Sequence, residues 1–264
     1  MAERETQDPA ITNGLFWENE VRRGCGFTVP WLDLCAAMLR RYIRGELQAR
    51  IPNKLSAIFP WDMLEHVRGQ DVLCLAAGGG QQSAVFGLLG ASVTVVDIAD
   101  GQLEGDRAAA GHYGYAVRTV RTDMQDLSQL DSDSFDLVWQ ASSMAYVPDI
   151  RKVYSGVSRV LRRGGIYRSD ANDPGTAFAD EHWDNGYRIN RPFSDRIEYR
   201  DDGAVEYRHY LSEVIDGLVE SGFAIRRAVE DPNHFEHFPD ATPGGWQHIM
   251  MYLPQIIAII AAKE

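Results

Sequence analysis

The sequence predicts a doubly wound α/β fold with a mostly parallel sheet, an antiparallel sheet edge and a helical N-terminal cap. Short runs of apolar or β-branched residues recur between residues 71 and 169, as is typical of strands buried on both faces. Helical segments separate these runs, and this alternation favours crossover connections between parallel strands. The last two predicted strands have no helix between them, which suits an antiparallel pair.

The part of the chain before the first strand is predicted to be helical. Apolar residues recur at three- and four-residue spacings from Trp31 to Ile43, and Pro30 is placed to open that helix. A second helical stretch is expected over Leu55–Val67, interrupted near Pro60. We therefore expect residues 1–68 to form a helical cap or lid, and residues 69–264 to form the α/β domain.

Five strands and three helices are expected to alternate in the first part of this domain. The strands are predicted at 71–76, 92–96, 117–121, 135–140 and 166–169, and the helices at 81–89, 102–111 and 154–161. β-Branched residues favour the second strand, and glycines such as Gly90 and Gly164 follow the helices as stop signals.

The alternation lapses after Asp170. An insertion is expected at about residues 172–210, with a hairpin around Asp201-Asp202-Gly203. A helix at 211–221 and strands at 223–229 and 255–262 are predicted to complete the sheet.

Composition excludes several classes of partner. The chain has 38 acidic and 26 basic residues, a formal charge of −12 that repels nucleic acids and anionic lipids. Its three cysteines form no C-x-x-C pair and its seven histidines no i, i+4 pair, so no metal is expected. No signal peptide or long apolar segment is recognisable, so we expect a cytoplasmic protein without nucleic-acid or membrane partners; a homodimer is compatible with the sequence.

Residues suited to a nucleoside ligand follow the first three strands. The first strand ends at the glycine-rich turn Ala76–Gly80, where backbone can approach a ligand closely. The second ends at Asp97, nineteen residues after Gly78, an offset that suits hydrogen bonds from a ribose diol. Asp123-Met124 follows the third strand and could meet the amino group and face of a purine. The carboxyl ends of parallel strands share one sheet edge, so these segments should meet in one cleft.

The class of nucleotide is less well defined by these residues. Gly80 is followed by Gln81-Gln82-Ser83, so the lysine of a triphosphate-binding loop is missing. Ser83 stands where a nicotinamide-binding fingerprint usually has Gly or Ala. A nicotinamide-dependent oxidoreductase is therefore an alternative, although it would need a Tyr–Lys or His acid–base pair in a chain with few lysines.

Residues 72–172 resemble the class I S-adenosylmethionine-dependent methyltransferases, in particular the small-molecule (type 11-like) group. The resemblance rests on the glycine-rich loop, VTVVDIADGQL with Asp97, TDMQDL, FDLVWQASSMAYVPD and the VLRRGG turn. It implies a Rossmann-like seven-stranded sheet and S-adenosyl-L-methionine as cofactor. It also implies a transferase that methylates an O, N or S atom of a small-molecule acceptor.

The resemblance further implies which residues form the site. In the family, the loop holds the amino-acid part of the cofactor, the acid after the second strand binds ribose, and the pair after the third strand cradles adenine. The residues expected to contact the cofactor here are Ala76, Gly78, Gly79, Gly80, Asp97, Ile98, Gln102, Asp123, Met124, Gln140, Ala141 and, from the cap, Trp17. Tyr146 and Asp170, which follow the fourth and fifth strands, are the candidate catalytic residues. The cap and the insertion, including Trp183, Tyr187 and Phe193, would shape the acceptor pocket.

Two positions depart from the family pattern. The usual acidic residue of the first motif falls at Cys74, and the first glycine falls at Ala76. A thiol cannot accept hydrogen bonds as a carboxylate does, so the loop must be supported in another way. Because of these departures, a non-catalytic S-adenosylmethionine-binding protein is a further alternative.

Overall fold

The computed structural model describes residues 8–46, 58–172, 182–230, 240–253 and 256–264. The strands in these ranges are β1 (Asp71–Leu75), β2 (Ser92–Asp97), β3 (Val117–Arg121), β4 (Phe135–Gln140), β5 (Leu161–Asn172), β6 (Ile197–Tyr199), β7 (Val205–Tyr207), β8 (Phe223–Val229) and β9 (Ile256–Lys263). The α-helices are α1 (Pro9–Arg23), α2 (Ala36–Ile43), α3 (Gln82–Leu89), α4 (Asp100–Tyr113), α5 (Ile150–Val160), α6 (Leu211–Glu220) and α7 (Trp246–Ile249).

Seven of these strands form one sheet in the order β3-β2-β1-β4-β5-β9-β8. The first five pair in parallel, and β9 runs antiparallel to both β5 and β8. Strand order reverses between β1 and β4, and ligands of doubly wound sheets bind at such a point, outside the carboxyl ends of the strands. The predicted fold class is confirmed, including the antiparallel edge.

Apolar side chains cover both faces of the sheet. Because successive residues of a strand point to opposite faces, Leu73 and Leu75 join one apolar layer, with α5 and α6. Val72 and Cys74 join the other layer, with α2, α3 and α4. Burial of each Leu or Val side chain contributes about 1.5–3 kcal/mol. These two layers fix the sheet edge on which the candidate site lies.

The cap differs from its prediction. The predicted helix from Pro30 begins only at Ala36, and residues 29–35 are not helical. Trp31 instead donates its backbone N–H to the carbonyl of Gly80, at 3.2 Å, a tertiary contact that holds this segment against the glycine-rich turn. The described part of the expected helix at 55–67 contains only a 3₁₀ turn, Trp61–Leu64, and residues 55–57 lie outside the described ranges.

Helix α1 carries the longest described part of the cap, and Asp8 caps its first turn. The buried amide of Asn13 joins α1 to two distant segments. Its Nδ2 donates to the carbonyls of Tyr146 (3.0 Å) and Val205 (2.9 Å). Its Oδ1 accepts the N–H of Val205 at 2.9 Å. The cap is therefore fastened to the loop after β4 and to the β6–β7 hairpin.

The later elements agree with the predicted order but shift at their ends. Helix α5 begins at Ile150, four residues before its predicted start, because Asp149 caps it. Strand β5 extends to Asn172, since it pairs with β9 along residues 166–172. The predicted hairpin is present as β6 and β7. The first residues of the expected insertion, 173–181, are outside the described ranges.

The described ranges contain neither a membrane-spanning helix nor a cluster of metal-binding side chains. None of their helices has both the length and the apolar character needed to cross a bilayer. Nor do they contain a group of three His, Cys, Asp or Glu side chains placed to hold a metal ion.

Candidate functional site

The glycine-rich loop Ala76–Gly80 leaves the carboxyl end of β1 in a left-handed conformation. Gly78, Gly79 and Gly80 have φ angles of +63°, +56° and +81°, and Ala76 has +48°. L side chains rarely adopt this region. A Cβ on Gly79 would also lie 2.5 Å from the carbonyl oxygen of Thr28. The positive φ angle and the lack of space for a Cβ therefore both require glycine at position 79.

The cap segment runs directly over this loop. Besides the bond from Trp31 to Gly80, the buried side chain of Gln81 donates to the carbonyls of Gly26 (2.8 Å) and Val29 (3.1 Å). These bonds hold residues 26–31 against the loop. The cap thus contacts the segment that was predicted to hold the cofactor.

Asp106 supports the loop from α4. Its Oδ1 accepts the N–H of Gly80 at 2.9 Å and the hydroxyl hydrogen of Ser83. Burial raises the pKa of Asp106 to about 7, against the opposing effect of these two donors. Asp106 is not among the residues that the sequence motifs single out. Its burial is indicated by helical spacing, because Asp106 lies on the same face of α4 as the buried residues Leu103 and Ala110.

Asp97 lies buried at the carboxyl end of β2, where its Oδ1 accepts the N–H of Ala99 at 2.9 Å. Burial raises the pKa of Asp97 to about 6. Backbone N–H groups of Ala99, Gly78 and Ile98 limit this rise, and the nearby carboxylate of Glu18 adds to it. The contact with Gly78 brings the first two predicted segments together.

The third predicted segment joins them at the ends of β2 and β3. Thr122 donates its N–H to the carbonyl of Asp97 at 3.1 Å. Asp123 accepts the backbone N–H of Gln125 at 2.8 Å and the side-chain amide of Gln125 at 3.1 Å. The adjacent Met124 is half-buried, with its sulfur 3.2 Å from the Nε2 of Gln140.

Gln140 is a buried connector at the end of β4. Besides Met124, its Nε2 donates to the hydroxyl of Ser143 at 3.0 Å, and its Oε1 accepts the hydroxyl hydrogen of Tyr167. Ala141, the next residue, packs against the apolar layer of α2, α3 and α4. The four strand ends β1, β2, β3 and β4 are therefore linked along one edge.

Ile98 and Gln102 lie between this edge and the cap. A Cβ on Gly14 of α1 would lie 3.5 Å from Ile98. The side-chain oxygen of Gln102 would lie 2.8 Å from a Cβ on Gly79. Glu18 of α1 accepts the N–H of Asp100 at 2.6 Å, at the first turn of α4. These contacts dock α1 onto the start of α4.

Tyr146 lies in a 3₁₀ turn after β4, beneath α1. Its ring meets Trp17 edge-on, with the centroids 5.4 Å apart, and stacks on Phe16 at 6.5 Å. Burial raises the pKa of Tyr146 above its ordinary value, and the nearby carboxylate of Glu206 adds to the effect. The structure thus brings a predicted lid residue, Trp17, to a predicted catalytic residue, Tyr146.

Asp170 lies below the loop after β4, in a buried ion pair with Arg168 at 2.7 Å. Its other oxygen accepts the N–H of Ser142 at 2.8 Å, and Ser142 has a φ of +48°. Arg168 also donates to the carbonyl of Phe59 (2.9 Å) and covers the ring of Trp139. Both oxygens of Asp170 are therefore engaged within the protein.

The aromatic residues of the insertion form two groups rather than one. Trp183 and Tyr187 pack with His248 and Tyr252, and the Tyr187 hydroxyl lies 2.6 Å from the Nδ1 of His248. Phe193 instead stacks on another residue, Tyr210, at 4.5 Å. Trp183 and Tyr187 therefore share ring partners that Phe193 does not, and their place at the acceptor pocket stays a prediction.

Comparison with known proteins shows similarity to methyltransferases. Residues 73–168 match the family model described as a methyltransferase domain. An uncharacterized methyltransferase of Bacillus subtilis (strain 168), YbaJ, is 28% identical over 236 residues, which are 84% of this chain and 91% of that protein. A demethylmenaquinone methyltransferase of Clavibacter sepedonicus is 40% identical over 100 residues, which are 38% of this chain and 40% of that protein.

A solved structure supports the same fold. An S-adenosylmethionine-dependent methyltransferase from Mesorhizobium loti aligns with a TM-score of 0.65 and 22% identity, over 77% of this chain and 97% of that one. The sheet order, the matched domain and the relative that spans most of the chain agree with one another. Together they support a class I S-adenosylmethionine-dependent methyltransferase.

Proposed function

We propose that this enzyme transfers the methyl group of S-adenosyl-L-methionine to an O, N or S atom of a small molecule. The observation that carries the proposal is the continuous series of contacts along the sheet edge, from the glycine-rich loop through Asp97 and Thr122 to Met124 and Gln140. S-adenosylmethionine supplies an activated methyl group on a positively charged sulfur.

The residues of this edge fit such a cofactor. Ala76 and Gly78–Gly80 would hold its amino-acid part, because the loop exposes backbone without side chains. Asp97 would accept hydrogen bonds from the ribose hydroxyls, and its burial makes such donors favourable, since a buried carboxylate is costly without them. Asp123 and Met124 would border adenine.

The remaining predicted contacts would lie around the cofactor. Ile98 and Gln102 lie on the α4 side, Gln140 and Ala141 on the β4 side, and Trp17 above, on α1. The net charge of −12 also favours a cationic cofactor over long range.

The loop after β4, helix α1 and the β6–β7 hairpin would form the acceptor side of the site. Support comes from Asn13, which bonds all three together. Because the cap and the hairpin cover this side, a small acceptor fits it better than a flat macromolecular surface does.

Little acid–base chemistry is required of the protein. Methyl transfer is an in-line displacement, so the protein mainly has to align the acceptor atom with the methyl group. Tyr146, whose raised pKa keeps it a neutral phenol, would orient the acceptor through its hydroxyl. Asp170 would act indirectly, by fixing the loop through Ser142. A base is needed only for an acceptor that arrives protonated.

Titration calorimetry with S-adenosylmethionine and S-adenosylhomocysteine tests the cofactor part of the proposal. We expect both to bind with a dissociation constant below the millimolar range, and binding of neither would end the proposal. The acceptor part is tested by the release of S-adenosylhomocysteine over a panel of small phenols, amines and thiols. If no S-adenosylhomocysteine is released with any of these compounds, the proposed class of small-molecule acceptors is wrong.

A further inference from the structure

A buried line of hydrogen bonds connects α4 to the glycine-rich loop. Gly80 donates its N–H to Asp106 at 2.9 Å, and the hydroxyl of Ser83 donates to the same carboxylate oxygen. Tyr115 in turn donates to the Ser83 hydroxyl at 3.3 Å. Asp106 therefore holds both the last residue of the loop and the first turn of α3.

The approach of α4 to the loop is built from glycines on both sides. A Cβ on Gly80 would lie 2.4 Å from the carbonyl oxygen of Gly105, and a Cβ on Gly105 would lie 2.7 Å from that of Gly79. These neighbours are backbone atoms, so no side-chain rotation could relieve the overlap. This spacing lets the short side chain of Asp106 reach the amide of Gly80.

The residue at position 74 is the reason that the hydrogen bond between Gly80 and Asp106 matters. The residue at this position is acidic in the family that the first motif resembles, whereas the thiol of Cys74 is fully buried here. Burial raises the pKa of this thiol, and the Asp106 carboxylate raises it further. The Asp106 carboxylate thus acts electrostatically on the side chain that it would replace.

We propose that Asp106 is a positioning residue that takes the place of the acid missing at Cys74, fixing the glycine-rich loop in the shape that holds the cofactor. It acts through the Gly80 N–H and does not itself touch the cofactor. The inference rests on the proposed function, because it assigns this loop to cofactor binding.

The affinity for S-adenosylhomocysteine, measured by calorimetry, gives the first test. Asp106→Ala removes both accepted bonds and should weaken binding by about 10- to 100-fold, as expected for hydrogen bonds to a charged group. Asp106→Asn keeps an acceptor oxygen, and its loss should be about threefold. Tyr115→Phe is the matched control, since it removes only the outer hydroxyl of the line, and it should bind as the wild type does.

Thermal unfolding without cofactor separates positioning from a merely structural role. The pKa of Asp106 is raised to about 7 by its burial, so at pH 8 the carboxylate is ionised and its burial destabilises the fold. Asp106→Asn should therefore unfold at the wild-type temperature or above it while binding more weakly. If Asp106→Asn instead loses thermal stability and cofactor affinity together, Asp106 is a structural residue and the proposal is overturned.

The double variant Cys74→Asp/Asp106→Ala returns the carboxylate to the strand. We expect it to recover affinity to within about threefold of the wild type, and the absence of recovery would contradict the replacement. If the wild type binds S-adenosylhomocysteine and Asp106→Ala binds equally well, the inference is wrong. If the wild type binds neither cofactor form, the proposed function itself fails.

Discussion

The cofactor side and the acceptor side of the candidate site are built by different means. On the cofactor side, the glycine-rich loop, Asp97, Asp123 and Gln140 lie at the carboxyl ends of β1 to β4, and the sheet places them at one edge. On the acceptor side, Asn13 contacts residues 133 and 192 positions away along the chain. The first side therefore depends on local pattern and sheet topology, and the second on long-range contacts of single side chains. Four predictions test whether the two sides can be disturbed separately.

The largest effect is expected for Asp97→Ala. Loss of a buried carboxylate that would accept the two ribose hydroxyls should weaken S-adenosylhomocysteine binding by about 100-fold or more. Calorimetry measures the loss, and circular dichroism checks that the fold is kept. Asp216→Ala, an exposed acid on α6, is the control and should bind normally. Normal binding by Asp97→Ala would remove the ribose assignment.

On the acceptor side, Asn13→Ala should act mainly on turnover. It leaves the N–H of Val205 and the carbonyls of Tyr146 and Val205 without their partner, at a cost of about 2–3 kcal/mol in unfolding free energy. Chemical denaturation measures this cost. We also expect kcat/KM for the acceptor to fall more than the affinity for S-adenosylhomocysteine. Asn19→Ala, on the exposed face of the same helix, should change neither.

Asp97 also makes the cofactor side sensitive to pH. Its folded pKa of about 6 lies above the reference value of 3.8, so the fold binds a proton more tightly than the unfolded chain does. Its contribution to stability is therefore greatest below pH 4 and is lost as the pH rises through 6.

Cofactor affinity should change in the opposite direction. The ionised carboxylate is the better acceptor for ribose, so affinity should rise by up to about tenfold per unit between pH 5 and pH 6, then level off. Calorimetry across this range checks the trend, and Asp97→Asn should flatten it. An unchanged slope in that variant would assign the titration to another group.

The smallest effect is expected for Tyr146→Phe. This variant keeps the ring that packs against Phe16 and Trp17 but loses the hydroxyl. The turnover number should fall by about tenfold or less, because alignment is shared among several contacts, while cofactor affinity stays the same. Steady-state kinetics with the identified acceptor measures both. Weaker cofactor binding would mean that Tyr146 belongs to the cofactor side.

The contrast between local sequence pattern and long-range contacts also explains which features the sequence alone could predict. Strand β4 agrees with its predicted ends because a buried apolar run bounded by turns identifies a strand locally. Strand β3 also agrees with its predicted ends, although only Val120 in it is buried, because its β-branched residues favour a strand. The segment 29–35 has helical spacing but is not helical, since Trp31 and Gln81 bind it to the glycine-rich loop. No local sequence pattern indicates this contact with the glycine-rich loop.

Two acidic residues of the candidate site also have tertiary surroundings that their sequence positions alone do not indicate. Asp170 was predicted to be catalytic from its place after the fifth strand. Arg168, two residues earlier on the same strand face, is its partner in the structure, and the period of two was the signal for that pairing. The sequence does not single out Asp106 because a helical acid is usually exposed, whereas this one is buried beneath the loop.

A crystal structure of the complex with S-adenosylhomocysteine tests the central claim most directly. We expect adenosine in a single cleft between Gly79, Asp97 and Met124, with the ribose hydroxyls on the Asp97 carboxylate and the sulfur facing Tyr146. Density for the ligand elsewhere, or a ribose without contact to Asp97, would contradict the account.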